Sequence, residues 1–183
     1  MTGSPTPTSL LARLDAADRE LSARIVVKPR ADGRPRRWLM VLRRFSEAGS
    51  YGVGWVVMFA VVGIANDGVK RGAVAAALVV AMLTCNTLVK NVIRRPRPVA
   101  RAIAHAPTTY SMPSAHSSMA MVGAATMQVI VPDQAILWWC VAVGLAISRV
   151  MLGMHYLADV VAGAALGIAV GLLVAAPIVA AVG

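Results

Sequence analysis

Five apolar stretches, at about residues 50–66, 72–89, 115–132, 134–152 and 157–182, constrain this chain more than any other feature. The bilayer interior offers the backbone no water, so every N–H and C=O must pair within the protein, and a helix does so within each segment. A helix needs ~20 apolar residues to cross the hydrocarbon core. Several stretches fall slightly short, a difference that tilting absorbs. The expected class is therefore an all-α membrane protein with about five transmembrane helices. Composition agrees, since the 183 residues are 58% hydrophobic and only 14% charged, where a soluble domain carries roughly 25%. Such a length suits one domain.

The N-terminal region has a different pattern. Residues 1–8 read as a tail. From Ser9 to about Val27, Leu10, Leu14, Ala17, Leu21 and Ile25 recur at helical spacing, while Arg13, Asp15, Asp18, Glu20 and Arg24 interrupt any continuous apolar run. That pattern predicts an amphipathic helix lying on the membrane surface, and it is not that of a signal peptide. Residues 28–37 form a basic linker. A second amphipathic piece places Trp38, Val41, Leu42 and Phe45 on one side. The chain thus divides into a tail with interfacial helices, 1–48, and a transmembrane domain, 49–183.

The net charge of +10 suggests a nucleic-acid partner at first sight, but a basic soluble binder would not bury five oily segments, and aromatic residues are only 5%. The expected partner is the bilayer, not nucleic acid. Cys85 and Cys140 lie in apolar runs without a CxxC pair and read as buried small hydrophobes.

Asn66-Asp67-Gly68 and Val131-Pro132-Asp133 read as tight turns, leaving 94–113 as the sizeable connection. A hairpin count puts the ends of spans two and four, the starts of spans three and five, and the N-terminal region on one face. Residues 1–44 hold Arg13, Arg19, Arg24, Lys28, Arg30, Arg34, Arg36, Arg37, Arg43 and Arg44, while the opposite loops hold only Lys70 and Arg71. Cations favour the cytoplasm, so that face is expected on the cytoplasmic side of the plasma (inner) membrane, unless 38–48 itself spans and inverts the topology. Gly163, Gly167 and Gly171, at intervals of four, allow two helices to approach closely, either within this chain or in a homo-oligomer.

The polar residues left in the oily region default to functional candidates. Lys90 and Arg97 flank the second span, Ser114 and His116 open the third, and Arg149, His155 and Asp159 lie between the fourth and fifth. His155 and Asp159 are four apart, the spacing of neighbours on one helical face. A carboxylate there can hold one ring nitrogen and leave the other as a nucleophile. Gly153 suggests that the helix carrying Arg149 ends and the chain turns back. Arg149, Arg97 and Lys90 could then surround one phosphate. Ser114 is a plausible cap after Pro113, and a helix N-terminus offers N–H groups to an anion. His116 is placed to protonate a leaving oxygen. Arg94, Arg95 and Arg101 read as lipid-headgroup contacts or positive-inside anchors, and His105 as a loop histidine. No metal site is evident, since the surrounding Arg and Lys repel a cation, and no cofactor is expected.

Lys90, Arg97-Pro98, Pro113-Ser114-Ala115-His116, and Ser148-Arg149 with His155 and Asp159 together resemble the three signature motifs of the type-2 phosphatidic acid phosphatase superfamily. Arg95-Pro96 is a second Arg-Pro out of register, and Ala115 stands where the family pattern has glycine. The resemblance covers about 70 residues, from Lys90 to Asp159. It implies His155 as nucleophile, Asp159 as its orienter, His116 as general acid, and Lys90, Arg97, Ser114 and Arg149 as phosphate ligands. The reaction implied is metal-independent hydrolysis of a lipid phosphate through a phosphohistidine. Membrane members commonly have six spans and an outward site; surface helices replacing the first span would turn the site inward. Composition rich in Ala, Val and Arg suits a high-GC actinobacterium. The substrate expected from the resemblance is then decaprenylphosphoryl-5-phosphoribose, ahead of phosphatidylglycerol phosphate, phosphatidate or a polyprenyl pyrophosphate. A non-catalytic lipid-phosphate binding subunit is the alternative from another class.

Overall fold

The computed structural model describes residues 9–27, 36–49, 52–66, 68–98 and 109–182. The tail, most of the basic linker, Asp67, Arg101 and His105 lie outside them. Each apolar stretch is a helix, and no strand occurs among the described residues. The elements run α1 (Leu10–Ile25), α2 (Arg37–Ala48), α3 (Val53–Ala65), α4 (Val69–Ile93), α5 (Ala115–Ile130), a 3-10 turn (Pro132–Gln134), α6 (Ala135–Met151), α7 (Leu157–Val170), a π turn (Gly171–Ala175) and α8 (Ala176–Ala181). The π turn ends two residues before Pro177, whose missing N–H disrupts the regular ladder.

Three segments are long and apolar enough to cross a membrane: Val69–Ile93, Pro132–Met151 and Leu157–Ala181. A fourth arises if α2 and α3, bent by 71°, count as one span. By itself α2 has 12 residues, and at 1.5 Å per residue that is about 18 Å, too short to cross.

The 16-residue α5 is the axis of the bundle. Every residue from Ser117 to Met127 is buried, and α5 touches α3, α4, α6, α7, the π turn and α8. Its small side chains make this possible. A Cβ at Gly123 would lie 2.4 Å from the ring of Trp55, which packs with Phe59, Val79, Met82, Met119 and Val122 in the core. Leu, Val and Ile on the outer faces are exposed instead, among them Val57, Val61, Leu88, Ile136 and Leu173. Cys85 and Cys140 share that outer surface and are not buried. In a bilayer-dwelling chain the outside is as apolar as the core, so hydropathy alone did not distinguish the two.

The glycine stripe is used within the chain. Added Cβ atoms at Gly163 and Gly167 would stand 2.5 Å from the Ser114 carbonyl oxygen and 2.3 Å from that of Ser118, and one at Gly171 would stand 2.8 Å from Ala125 Cβ. These three glycines are therefore covered by α5, which removes them as a contact between two copies. Gly167→Ala is expected to destabilise the protein by about 1–3 kcal/mol through overpacking. Gly144→Ala, whose Cβ meets Phe45 at an ordinary 3.7 Å, should leave the unfolding midpoint in detergent unchanged.

Candidate active site

The polar candidates converge at one end of the bundle, where α4 and α6 finish and α5 and α7 begin. Local sequence explains each position. At the end of α6 the chain turns at Gly153, whose φ of +70° suits glycine. The N–H groups of Met154 and His155 both donate to the Arg149 carbonyl, at 3.0 and 3.3 Å. Arg149 and His155 are thus tied by backbone, as the glycine between them suggested. His155 precedes α7 and is not on it. The expected stacking of His155 and Asp159 on one helical face is therefore corrected: Tyr156 is an extended N-cap, and Asp159 is the third residue of α7.

Asp159 is completely buried. Its Oδ2 accepts from the Tyr156 N–H at 2.9 Å and lies 3.5 Å from His155 Nδ1. On the far side of the ring, Arg97 Nη1 is 3.1 Å from Nε2. Arginine has only donors, so Nε2 must be the accepting nitrogen and the ring proton belongs on Nδ1, toward Asp159. That tautomer leaves a lone pair on Nε2. The 3.5 Å separation is long for a hydrogen bond, and such contacts often tighten when substrate binds.

Arg97 is held by its other nitrogens, with Nε donating to the Thr109 carbonyl at 2.7 Å and Nη2 to the Thr109 hydroxyl at 3.1 Å. Lys90, almost buried, donates to the Tyr110 carbonyl at 2.9 Å. Ser114 is fully buried and caps α5, its hydroxyl accepting from the Ser117 N–H at 3.4 Å. Its own N–H donates to the Asp159 carbonyl at 2.9 Å. That bond joins the Ser114 and Asp159 stretches directly. His116, one residue into α5, is half-buried and lies within electrostatic reach of Arg149, His155, Lys90 and Arg97.

Arg149 is 4% exposed, donates from Nη1 to Ser46 Oγ at 2.7 Å, and its buried Nε has no hydrogen-bond partner among the described residues. Among the described residues, neither Lys90 nor Arg149 forms an ion pair with a carboxylate. Asp159 attracts Lys90 and Glu47 attracts Arg149 only from beyond ion-pair distance, and burying cations that are not paired directly is costly unless an anion completes the site.

Several contributors escaped the sequence reading. Arg95 does not anchor the protein to headgroups: it is largely buried, donating to Asp159 Oδ1 at 2.7 Å, Asp15 Oδ1 at 2.6 Å and Asp18 Oδ2 at 2.7 Å. Its guanidinium lies 4.5 Å from the centre of the Tyr156 ring. Burial works to lower its pKa, but the three carboxylates outweigh burial and raise it. Asp15 shows the converse, with burial opposed and overcome by hydrogen bonds from Arg19 and Arg95, so that its pKa falls. Ser46, on α2, carried no local signal among Arg43, Arg44 and Glu47. Only the spacing of Asp15, Asp18 and Ser22 on one helical face signalled that α1 docks through polar groups.

The sequence model of the PAP2 superfamily matches residues 72–180. The chain belongs to that superfamily. Two decaprenylphosphoryl-5-phosphoribose phosphatases resemble it over most of their length. That of Mycobacterium tuberculosis is 32% identical over 168 residues, covering 85% of this chain and 88% of the relative. That of Mycolicibacterium smegmatis is 33% identical over 156 residues, covering 81% and 83%. The crystal structure of a transmembrane PAP2-type phosphatidylglycerolphosphate phosphatase from Bacillus subtilis superposes with a TM-score of 0.71 at 24% identity, covering 88% of this chain and 84% of that one. That likeness establishes the shared fold. Family membership makes the chain a phosphoric monoester hydrolase of the membrane.

Burial pushes the His155 pKa down to about 3, with Arg97, Arg149 and Lys90 acting in the same direction against its contact with Asp159. Unfolded, the same ring titrates near ~6.5. Between these values the unfolded chain binds the extra proton. The contribution to stability is therefore complete above ~6.5 and is lost as pH falls toward about 3, by up to about 1.4 kcal/mol per pH unit. His155→Gln should remove this share of acid sensitivity, read as a smaller gap between unfolding midpoints at pH about 7.5 and about 5.

Proposed function

We propose that the chain is a metal-independent lipid phosphomonoesterase acting through a phosphohistidine on decaprenylphosphoryl-5-phosphoribose. The observation that carries the reading is the pair of buried cations, Lys90 and Arg149, which form no ion pair with a carboxylate among the described residues, beside a histidine whose accepting nitrogen faces Arg97. A phosphate monoester supplies the missing negative charge. The names of the mycobacterial relatives, matched along most of both chains, favour this substrate over other lipid phosphates.

In this mechanism Lys90, Arg97 and Arg149 bind the phosphate oxygens, with Ser114 and the first N–H groups of α5 completing the cradle. The phosphate displaces Arg97 from the Nε2 lone pair. Nε2 then attacks phosphorus, forming the N–P bond as the bond to the ribose 5-oxygen breaks, and His116 delivers a proton to that oxygen. Asp159 receives the Nδ1 proton's hydrogen bond and stabilises the charge that the ring acquires. Water, deprotonated by His116, attacks the phosphohistidine, releases inorganic phosphate and restores the neutral ring. The cations offset charge on the equatorial oxygens in both steps. No metal is required for either.

The site is proposed to face the cytoplasm from the plasma membrane. Support comes from the concentration of Lys and Arg before residue 45 and from α1, which docks at the site's end through the bond from the Ala158 N–H to Asp18 at 3.0 Å.

The test is phosphate release by purified protein in EDTA from decaprenylphosphoryl-5-phosphoribose, phosphatidylglycerol phosphate, phosphatidate and a polyprenyl pyrophosphate. The first should be preferred, and His155→Ala should lose about 10³-fold or more. In sealed membrane vesicles, hydrolysis should occur from the cytoplasmic side. Full activity in His155→Ala, or dependence on added metal, would overturn the mechanism. Binding without turnover would favour the alternative of a lipid-phosphate binding subunit.

A further inference from the structure

The cluster around Arg95 lies outside the phosphate cradle, yet it grips the residue that orients the nucleophile. Three carboxylates from two distant parts of the chain surround one guanidinium. Asp15 and Asp18 come from α1, and Asp159 from α7, all at 2.6–2.7 Å. Arg95 is 11% exposed and Asp18 13%. A charge-assisted arrangement this enclosed is worth considerably more than a surface ion pair.

The remaining contacts hold α1 in place. Asp18 Oδ1 also accepts from the Ala158 N–H at 3.0 Å, and Ser22 Oγ accepts from the Leu157 N–H at 2.8 Å. These two N–H groups belong to the first turn of α7, which has no partner for them within its own helix. Thus α1 caps α7 from outside. Leu10, Leu11, Leu14 and Leu21 of α1 are exposed and lie beside the docking face, with Leu11 and Leu14 one turn before Asp15 and Asp18. Tyr156 lies between the two helices, and the guanidinium of Arg19 also approaches its ring, at 5.2 Å.

Charge balance shows what the cluster does. Asp159 must keep enough negative charge to hold the Nδ1 proton of His155. Its Oδ1 is bound by Arg95 and its Oδ2 by the Tyr156 N–H, so the carboxylate plane is fixed with Oδ2 toward the ring. Were Arg95 opposite Asp159 alone, it would draw that charge away from the histidine. Asp15 and Asp18 share the guanidinium and reduce its hold.

We infer that Arg95 is a positioning residue for the His155–Asp159 pair, and that the surface helix α1 sets its strength through Asp15 and Asp18. The inference rests on the phosphatase reading above. Because Arg95 reaches the substrate only through Asp159, its loss should act on kcat and leave KM alone.

The experiment compares steady-state phosphate release from decaprenylphosphoryl-5-phosphoribose by the full chain in mixed micelles. The variants are Arg95→Gln, Asp15→Asn/Asp18→Asn, the triple combination, and Glu20→Gln. Glu20 pairs with Arg24 on the exposed side of α1 at 2.6 Å and serves as the control. The triple variant leaves no carboxylate of α1 buried without its cation, so it remains a fair test if Arg95→Gln folds poorly. Arg95→Gln and the triple variant should each lose about 10–100-fold in kcat, the usual cost of removing an outer partner of a catalytic group, with KM within about twofold. The Asp pair should lose less, and adding it to Arg95→Gln should cost nothing more. A folded triple variant with kcat within about twofold of wild type would overturn the inference and leave the phosphatase reading intact. Equal loss in Glu20→Gln, or a rise in KM that accounts for the whole effect, would overturn it as well. Silence of the wild-type protein on all lipid phosphates would overturn both.

Discussion

The seam between α5 and α7 is the contact on which the rest of the site depends. At Gly163 and Gly167 the two backbones approach so closely that a single methyl group would collide with the carbonyl of Ser114 or Ser118. This closeness lets the Ser114 N–H reach the Asp159 carbonyl, and with it the N-termini of both helices open at the same level. The lipid gives helices no hydrophobic reason to associate, so small residues and close packing must do it. Along this seam, the residues that permit the packing also align the Ser114 and Asp159 stretches.

Electrostatics then shapes what the packing assembles. Lys90 and Arg149 are buried with carbonyl, hydroxyl or no partners, whereas Arg95, two residues from Arg97, has three carboxylates. Cations at one end of the bundle therefore have contrasting surroundings: Arg95 is neutralised by carboxylates, whereas Lys90 at the end of α4 and Arg149 at the end of α6 form no ion pair with a carboxylate among the described residues. The Arg95 contact engages Asp159 Oδ1 on the side away from His155.

Much of this was legible in the sequence, and the reasons for the rest are physical. Apolar runs specified helices because the bilayer leaves the backbone no alternative. Gly153 marked a turn, and Ser114 a cap, because both depend on local backbone geometry. The His155–Asp159 spacing pointed to two side chains that do lie near each other, at 3.5 Å, but an extended Tyr156 and not a continuous helix brings them together. Arg95 was misread because its partners Asp15 and Asp18 are 80 and 77 residues away, and nothing local distinguishes a cation that meets headgroups from one that meets a distant helix. The exposed cysteines were misread because lipid-facing and core surfaces share one chemistry. Ser46 had no signal beyond being a polar residue near the end of an amphipathic helix.

A neutral His155, oriented by Asp159, is proposed to carry the phosphoryl group. That role is tested most directly by rapid quenching of the wild-type enzyme with substrate bearing a radiolabelled phosphate, followed by peptide mapping. The account predicts a label that survives base, is lost in acid, and maps to His155 at a level that rises before phosphate release reaches steady state. Turnover with no labelled histidine at any quench time, or a label on another residue, would contradict it.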